Sequence, residues 1–200
     1  KKDNGRAHSY MPRLGSLEND YWHFNDADWY MHDPTSNFRE APLWYAPDLI
    51  QRIINSNVNH EIACHTFSHI DCRNEVGPDN VFFAEINECK RLAKEINIDL
   101  KSFVHPAHTI GHLDDIATLG FTNYRTNYRN VLGFPKQHKN RFWEFEQTAE
   151  ILYRTDWSIK YHIYRYKKII ERAIRSKTLC YLWFHPSMDP IVVEKILPEL

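Results

Sequence analysis

Beyond Pro47 the chain alternates between helical and extended hydrophobic periods, and this constrains its fold more than any other feature. Over 48–57, Leu49, Ile50, Ile53 and Ile54 share one helical face behind a proline suited to a first turn. Residues 60–65 read as a short strand. Asp79 and Asn80 then offer caps to a long helix whose Phe82, Ile86, Cys89, Ala93 and Ile96 recur at three and four residues. A strand over 100–106, a short helix from about His112 ending at Gly120, and a strand over 121–125 follow. A helix over 158–176 carries Ile159, Ile163, Ile170 and Ile174 along one face. The apolar run 178–184 reads as a doubly buried strand, and 189–197 as one more helix.

Alternation joined by short loops implies parallel strands with helices packed outside them, as an α/β barrel or a doubly wound sheet. Either architecture binds ligands at the carboxyl ends of its strands. Four predicted strands end there in reactive or cationic side chains: His65, then His105 and His108, then Arg125, then His185. Chance places one or two so, whereas four on one rim is an argument for a site.

Residues 1–46 behave differently, being polar and aromatic, with Pro12, Pro34 and Pro42 and no apolar period. They read as a long loop or lid preceding the regular part, 47–200. Trp22, Phe24, Trp29 and Tyr30 would stack on sugar rings if the segment covers a site, or plug a hydrophobic gap if it does not. The whole chain holds twelve histidines, six tryptophans, eleven tyrosines and eleven phenylalanines, a content that suits a carbohydrate cleft as well as a ring-rich core.

A formal net charge of −1 supplies no field that would draw the chain to nucleic acid or an anionic membrane. No apolar run is long enough to span a bilayer, and 1–10 lacks the pattern of a signal peptide. Cys64, Cys72, Cys89 and Cys180 show no metal-type spacing and read as reduced thiols, mostly in apolar surroundings, which points to the cytoplasm.

His65-Thr66-Phe67-Ser68-His69 places two imidazoles four residues apart directly after a strand. So spaced, two imidazoles can donate to one divalent cation, with zinc the default and nickel or cobalt using the same donors. The spacing alone is weak, since about 0.7 such pairs are expected by chance at this histidine content. A second pair, His108 and His112, does occur, but His112 opens a helix expected to turn away from the rim. A bland reading of the first pair, as strand caps bonded to backbone, competes with the metal.

The motif from His65 to His69, with the lead-ins Pro47-Asp48-Leu49-Ile50 and His60-Glu61-Ile62, resembles the second motif of the polysaccharide deacetylases that carry the NodB homology domain. Leu182-Trp183-Phe184-His185 resembles the family's last motif, which lines the acetyl pocket. The resemblance covers about 41–188 and implies a distorted (β/α) barrel with parallel strands that removes N-acetyl groups from amino sugars of a glycan. It assigns His65 and His69 to the metal, His185 to general acid catalysis, and His105, Pro106, His108, Arg125 and Trp183 to the substrate.

Two departures stand out. The family's third motif carries an arginine where Ser102-Phe103-Val104-His105-Pro106-Ala107-His108 has none. The first motif, which supplies the base and a third metal ligand, is missing, and Asn25-Asp26-Ala27-Asp28-Trp29 is the nearest carboxylate pair. The resemblance thus implies at least one helix and two strands upstream of Lys1, a last helix without a capping glycine suggests a continuation past Leu200, and the chain by itself is expected to hold metal weakly, with Asp71, Asp26 or Asp28 as substitute donors. Two other readings remain: a non-catalytic carbohydrate-binding relative, and a hydrolase whose metal is gathered by His105, His108 and His112.

Overall fold

The structure, a computed structural model, describes residues 23–24, 27–28, 34, 36–128, 132–138 and 142–200. The chain divides into two compact units, Lys1–Phe121 and Thr122–Leu200. It is mixed α/β, with a parallel bridge in the first unit and parallel strand pairs in the second.

In the first unit a small antiparallel pair, β1 (His23–Phe24) and β2 (Ala27–Asp28), precedes helix α1 (Pro47–Ile54). The helix opens on the proline, as its sequence predicts, but none of its residues is buried. The expected strand over 60–65 contracts to one parallel bridge between Cys64 and Phe103 of β3 (Ser102–Val104), closed by Cys64 N to Ser102 O and Val104 N to Cys64 O, each 2.9 Å. Helix α2 (Asp79–Glu95) buries Val81, Phe82, Glu85, Ile86 and Ala93. Its start differs from the expectation: Pro78 precedes the first turn, and Asp79 lies inside the helix without capping it.

Rings share this core with the fully buried aliphatic side chains of Ile70, Ile86 and Ile116. Phe103 meets Phe82 and Phe121 edge-on at 5.9 and 5.6 Å, and His112 stacks on Phe82 at 4.3 Å. Helix α3 (Leu113–Thr118) starts at His112, itself in the left-handed region, and the chain leaves it through Gly120 at φ +87°, the conformation that glycine tolerates at a helix end. The segment before α3 crosses residues 72–73 so closely that a Cβ on Gly111 would lie 1.9 Å from the Cys72 carbonyl oxygen. Only a glycine permits that crossing.

The second unit contains β4 (Asn123–Tyr128), β5 (Lys136–Gln137) and β6 (Trp143–Gln147), with β4 parallel and β5 antiparallel to β6. A register shift between Arg125 and Tyr128 is bridged by Gln147, whose Nε2 donates to Thr126 O at 2.7 Å. A second parallel pair joins β7 (Ala149–Glu150) to β8 (Leu182–Trp183). The run 178–184 is therefore not a doubly buried strand, since its regular part is two residues long and half-buried.

Helix α4 (Ile159–Ser176) begins at Ser158, whose hydroxyl accepts from Tyr161 N. Its buried residues are His162, Tyr166 and Ala173, while Ile174 of the expected apolar face is 70% exposed. Tyr166 wins the interior because its hydroxyl is satisfied there, accepting from Leu152 N and donating to Glu150 O, both at 3.0 Å. Ile151, Val192 and Ile196 complete that core. The last expected helix is a π-helical turn, Val192–Ile196, running into a 3-10 turn, Leu197–Glu199.

Candidate functional site

The turn that leaves the Cys64 bridge carries both histidines of the sequence motif, and Thr66 and His69 adopt positive φ of 60° and 57° within it. A non-glycine turn of this shape needs outside support. Glu85, fully buried on α2, supplies it by accepting from Phe67 N at 2.8 Å, Ser68 N at 2.6 Å and Ser68 Oγ at 2.5 Å. Burial pushes the Glu85 carboxyl above its ordinary value, against the pull of those three hydrogen bonds.

His65 is exposed on the turn and its Nδ1 lies 2.8 Å from Val104 O. A carbonyl only accepts, so Nδ1 carries the proton and Nε2 is the basic nitrogen, the usual arrangement of a metal-binding imidazole. The His69 ring stands edge-on to that of His65, with centroids 5.0 Å apart.

The other residues of the first unit divide by burial. His105 is buried, with Nε2 2.9 Å from Gly111 O and its ring against Phe103 at 4.8 Å, so its visible contacts close the 106–111 loop. Pro106 is buried, and His108 is half-buried with φ 59°. Asp71 is held by Arg73 through Oδ2 to Nη2 at 2.6 Å, an ion pair that ties down its own loop. Asp26 and the Asp28 side chain, together with those of Trp22, Phe24, Trp29 and Tyr30, lie outside the described residues.

Among the described residues, one group of three potential metal donors converges: Asp79, His112 and Asp115, whose ligand atoms all lie within 4.8 Å of one another. The group does not contain His105 or His108, the partners that sequence reasoning weighed for His112. The i,i+3 relation of His112 and Asp115 at a helix start is visible in the sequence, but Asp79 comes from a different helix and no local signal joins it to them.

In the second unit Arg125, Trp183 and His185 do assemble. The parallel register sets Glu150 opposite Trp183, the Arg125 guanidinium lies over the Trp183 ring at 4.8 Å, and the His185 ring meets Trp183 edge-on at 5.1 Å. Glu150 Oε1 is 3.6 Å from His185 Nδ1, a partner that the sequence did not reveal. Burial draws the Arg125 guanidinium below its ordinary value while Tyr181 and Glu150 pull it back, and its Nε is buried with no hydrogen-bond partner among the described residues. The assembly joins a cation, an aromatic face, an imidazole and a carboxylate, which together can bind a polar ligand and move a proton.

All four cysteines are unpaired thiols, Cys64 and Cys72 buried, and burial drives the Cys72 thiol well above its ordinary value. No helix among the described residues is long and apolar enough to cross a membrane. No protein-family model, curated protein or solved structure matches the chain.

Proposed function

We propose that the chain belongs to a metal-dependent hydrolase that removes N-acetyl groups from the amino sugars of a glycan, its α/β elements forming part of a distorted (β/α) barrel of the polysaccharide deacetylase kind. The observation that carries this reading is the His65–His69 turn, in which the Val104 carbonyl sets the tautomer of His65 and Glu85 clamps the backbone between the two imidazoles. The donor chemistry suits a divalent cation, zinc by default and nickel or cobalt otherwise. Such a cation polarises the acetyl carbonyl and lowers the pKa of a water molecule.

The chain's own residues supply the rest. Val104 O orients the His65 ring, and Glu85 holds the backbone turn between the two histidines. Arg125 and Trp183 hold the sugar, one by charge and one by its ring face, with His105, Pro106 and His108 as further substrate residues. His185 gives its proton to the leaving amine, and Glu150, near its Nδ1, orients the ring. The four thiols suit a reducing cytoplasm.

The test is zinc uptake by equilibrium dialysis together with acetate release from N-acetylglucosamine oligomers, for the chain and for its His65→Ala/His69→Ala variant. Acetate release should fall to background in the variant, and zinc uptake should drop by the ion that the two histidines hold. Deacetylation that survives the double substitution overturns the reading. The alternative is a non-catalytic carbohydrate-binding relative, which the departures from the family's first and third motifs suggest. It predicts oligomer binding without acetate release.

A further inference from the structure

We infer that Asp79, His112 and Asp115 form a second divalent-cation site, one that pins the start of α2 to the start of α3 and does not depend on the His65–His69 turn. The His112 side chain is fully buried, and its Nε2 lies 2.8 Å from Gly77 O. A carbonyl has no hydrogen to give, so Nε2 carries the proton. Nδ1 then turns its lone pair toward Asp115 Oδ2 at 3.0 Å and Asp79 Oδ1 at 3.4 Å, which are acceptors as well. Asn74 offers little relief, with its Nδ2 at 3.5 Å from Nδ1 and its Oδ1 engaged by His112 N at 3.1 Å.

Three lone-pair donors aimed at one another repel unless positive charge stands between them. A second proton on Nδ1 answers one carboxylate at 3.0 Å and leaves the other at 3.4 Å without a hydrogen bond of normal length. A metal ion answers both. With metal–ligand bonds of about 2.0–2.1 Å, ligand atoms lie about 3.3 Å apart around a tetrahedral centre and about 3.0 Å apart in neighbouring octahedral positions. The two separations from Nδ1 match that spacing.

The surroundings agree. Gly77 O fixes the far nitrogen as second-sphere carbonyls do for metal-bound imidazoles, and Phe82 closes the ring's face at 4.3 Å. The Asp79 side chain is 76% exposed and that of Asp115 31%, which gives the ion an entry path and room for water. The positive end of α2 opposes a cation only weakly beside two carboxylates. One nitrogen and two carboxylate oxygens select zinc or manganese over calcium, whose ligands are oxygens alone.

The experiment titrates chelator-treated protein with Zn²⁺ and Mn²⁺ by calorimetry, in the unmodified chain, the His65→Ala/His69→Ala variant and the Asp79→Asn/Asp115→Asn variant. The His65→Ala/His69→Ala variant should still take up one ion per chain, and the Asp79→Asn/Asp115→Asn variant should lose that event by about tenfold or more in affinity. The ¹⁵N resonance of His112 Nδ1 should move on adding Zn²⁺. Should the two-asparagine variant misfold, Asp79→Asn alone, at the exposed end, reads the same loss. The inference is overturned if the His65→Ala/His69→Ala variant binds no ion, if Asn substitution leaves its uptake unchanged, or if both ring nitrogens of His112 hold protons that Zn²⁺ does not displace. Acetate release that survives in the His65→Ala/His69→Ala variant counts against the proposed function only.

Discussion

Glu85 occupies a place that a glutamate takes only when the backbone needs it, for it is fully buried yet accepts from two backbone amides and a hydroxyl of the histidine turn. Its carboxyl is raised by burial, so the native state holds the proton more tightly than the unfolded chain does. The sign follows: the stability that Glu85 contributes is full below the ordinary glutamate pKa and is lost as pH rises through the raised one. Urea unfolding from pH 4 to 8 should show the unmodified chain losing stability relative to Glu85→Gln as pH rises, and a gain would refute the burial argument. At His185 the prediction is kinetic. If it protonates the leaving amine, His185→Ala lowers turnover by roughly 10²–10⁴-fold and leaves the metal in place. Metal lost together with turnover would make His185 a ligand instead of an acid.

At the scale of elements, the helices differ in how much they bury. Leu49, Ile50, Ile53 and Ile54 of α1 are 53, 39, 41 and 43% exposed, while α2 and α4 each bury residues along one face. Local opening costs least where few apolar contacts must be broken. Amide hydrogen exchange should therefore run ahead in α1 of that in α2 and α4, and equal protection of all three would contradict the burial pattern. Periodicity found these helices and placed Ile159 and Ile163 of α4 against the core, but it missed that Ile174 is exposed and that Tyr166 and His162 are buried with partners inside. Short strands were the least legible elements. β5 to β7 carry no run that marks them, and β8 keeps only two residues of an apolar stretch of seven. Strand length is decided by a neighbour's hydrogen bonds, which the strand's own residues do not encode.

For the molecule as a whole, a net charge of −1 with twelve neutral histidines and a pI near 6.9 leaves almost no self-repulsion at neutral pH. Solubility should pass through a minimum near pH 6.9 and recover at pH 5, where histidines charge, and at pH 9. A flat light-scattering profile across that range would show that net charge does not control association. The sequence by itself determined the α/β class, the long helices and the pairing of His65 with His69, because each depends on residues a few positions apart and on the repeat of one element. Only the tertiary structure decided that Glu85 clamps the histidine turn, that Glu150 stands beside His185, and that Asp79 joins His112 and Asp115. Those contacts join residues far apart in the chain, Glu85 to Ser68 across 17 positions for example, and close packing selects them after the local elements have formed.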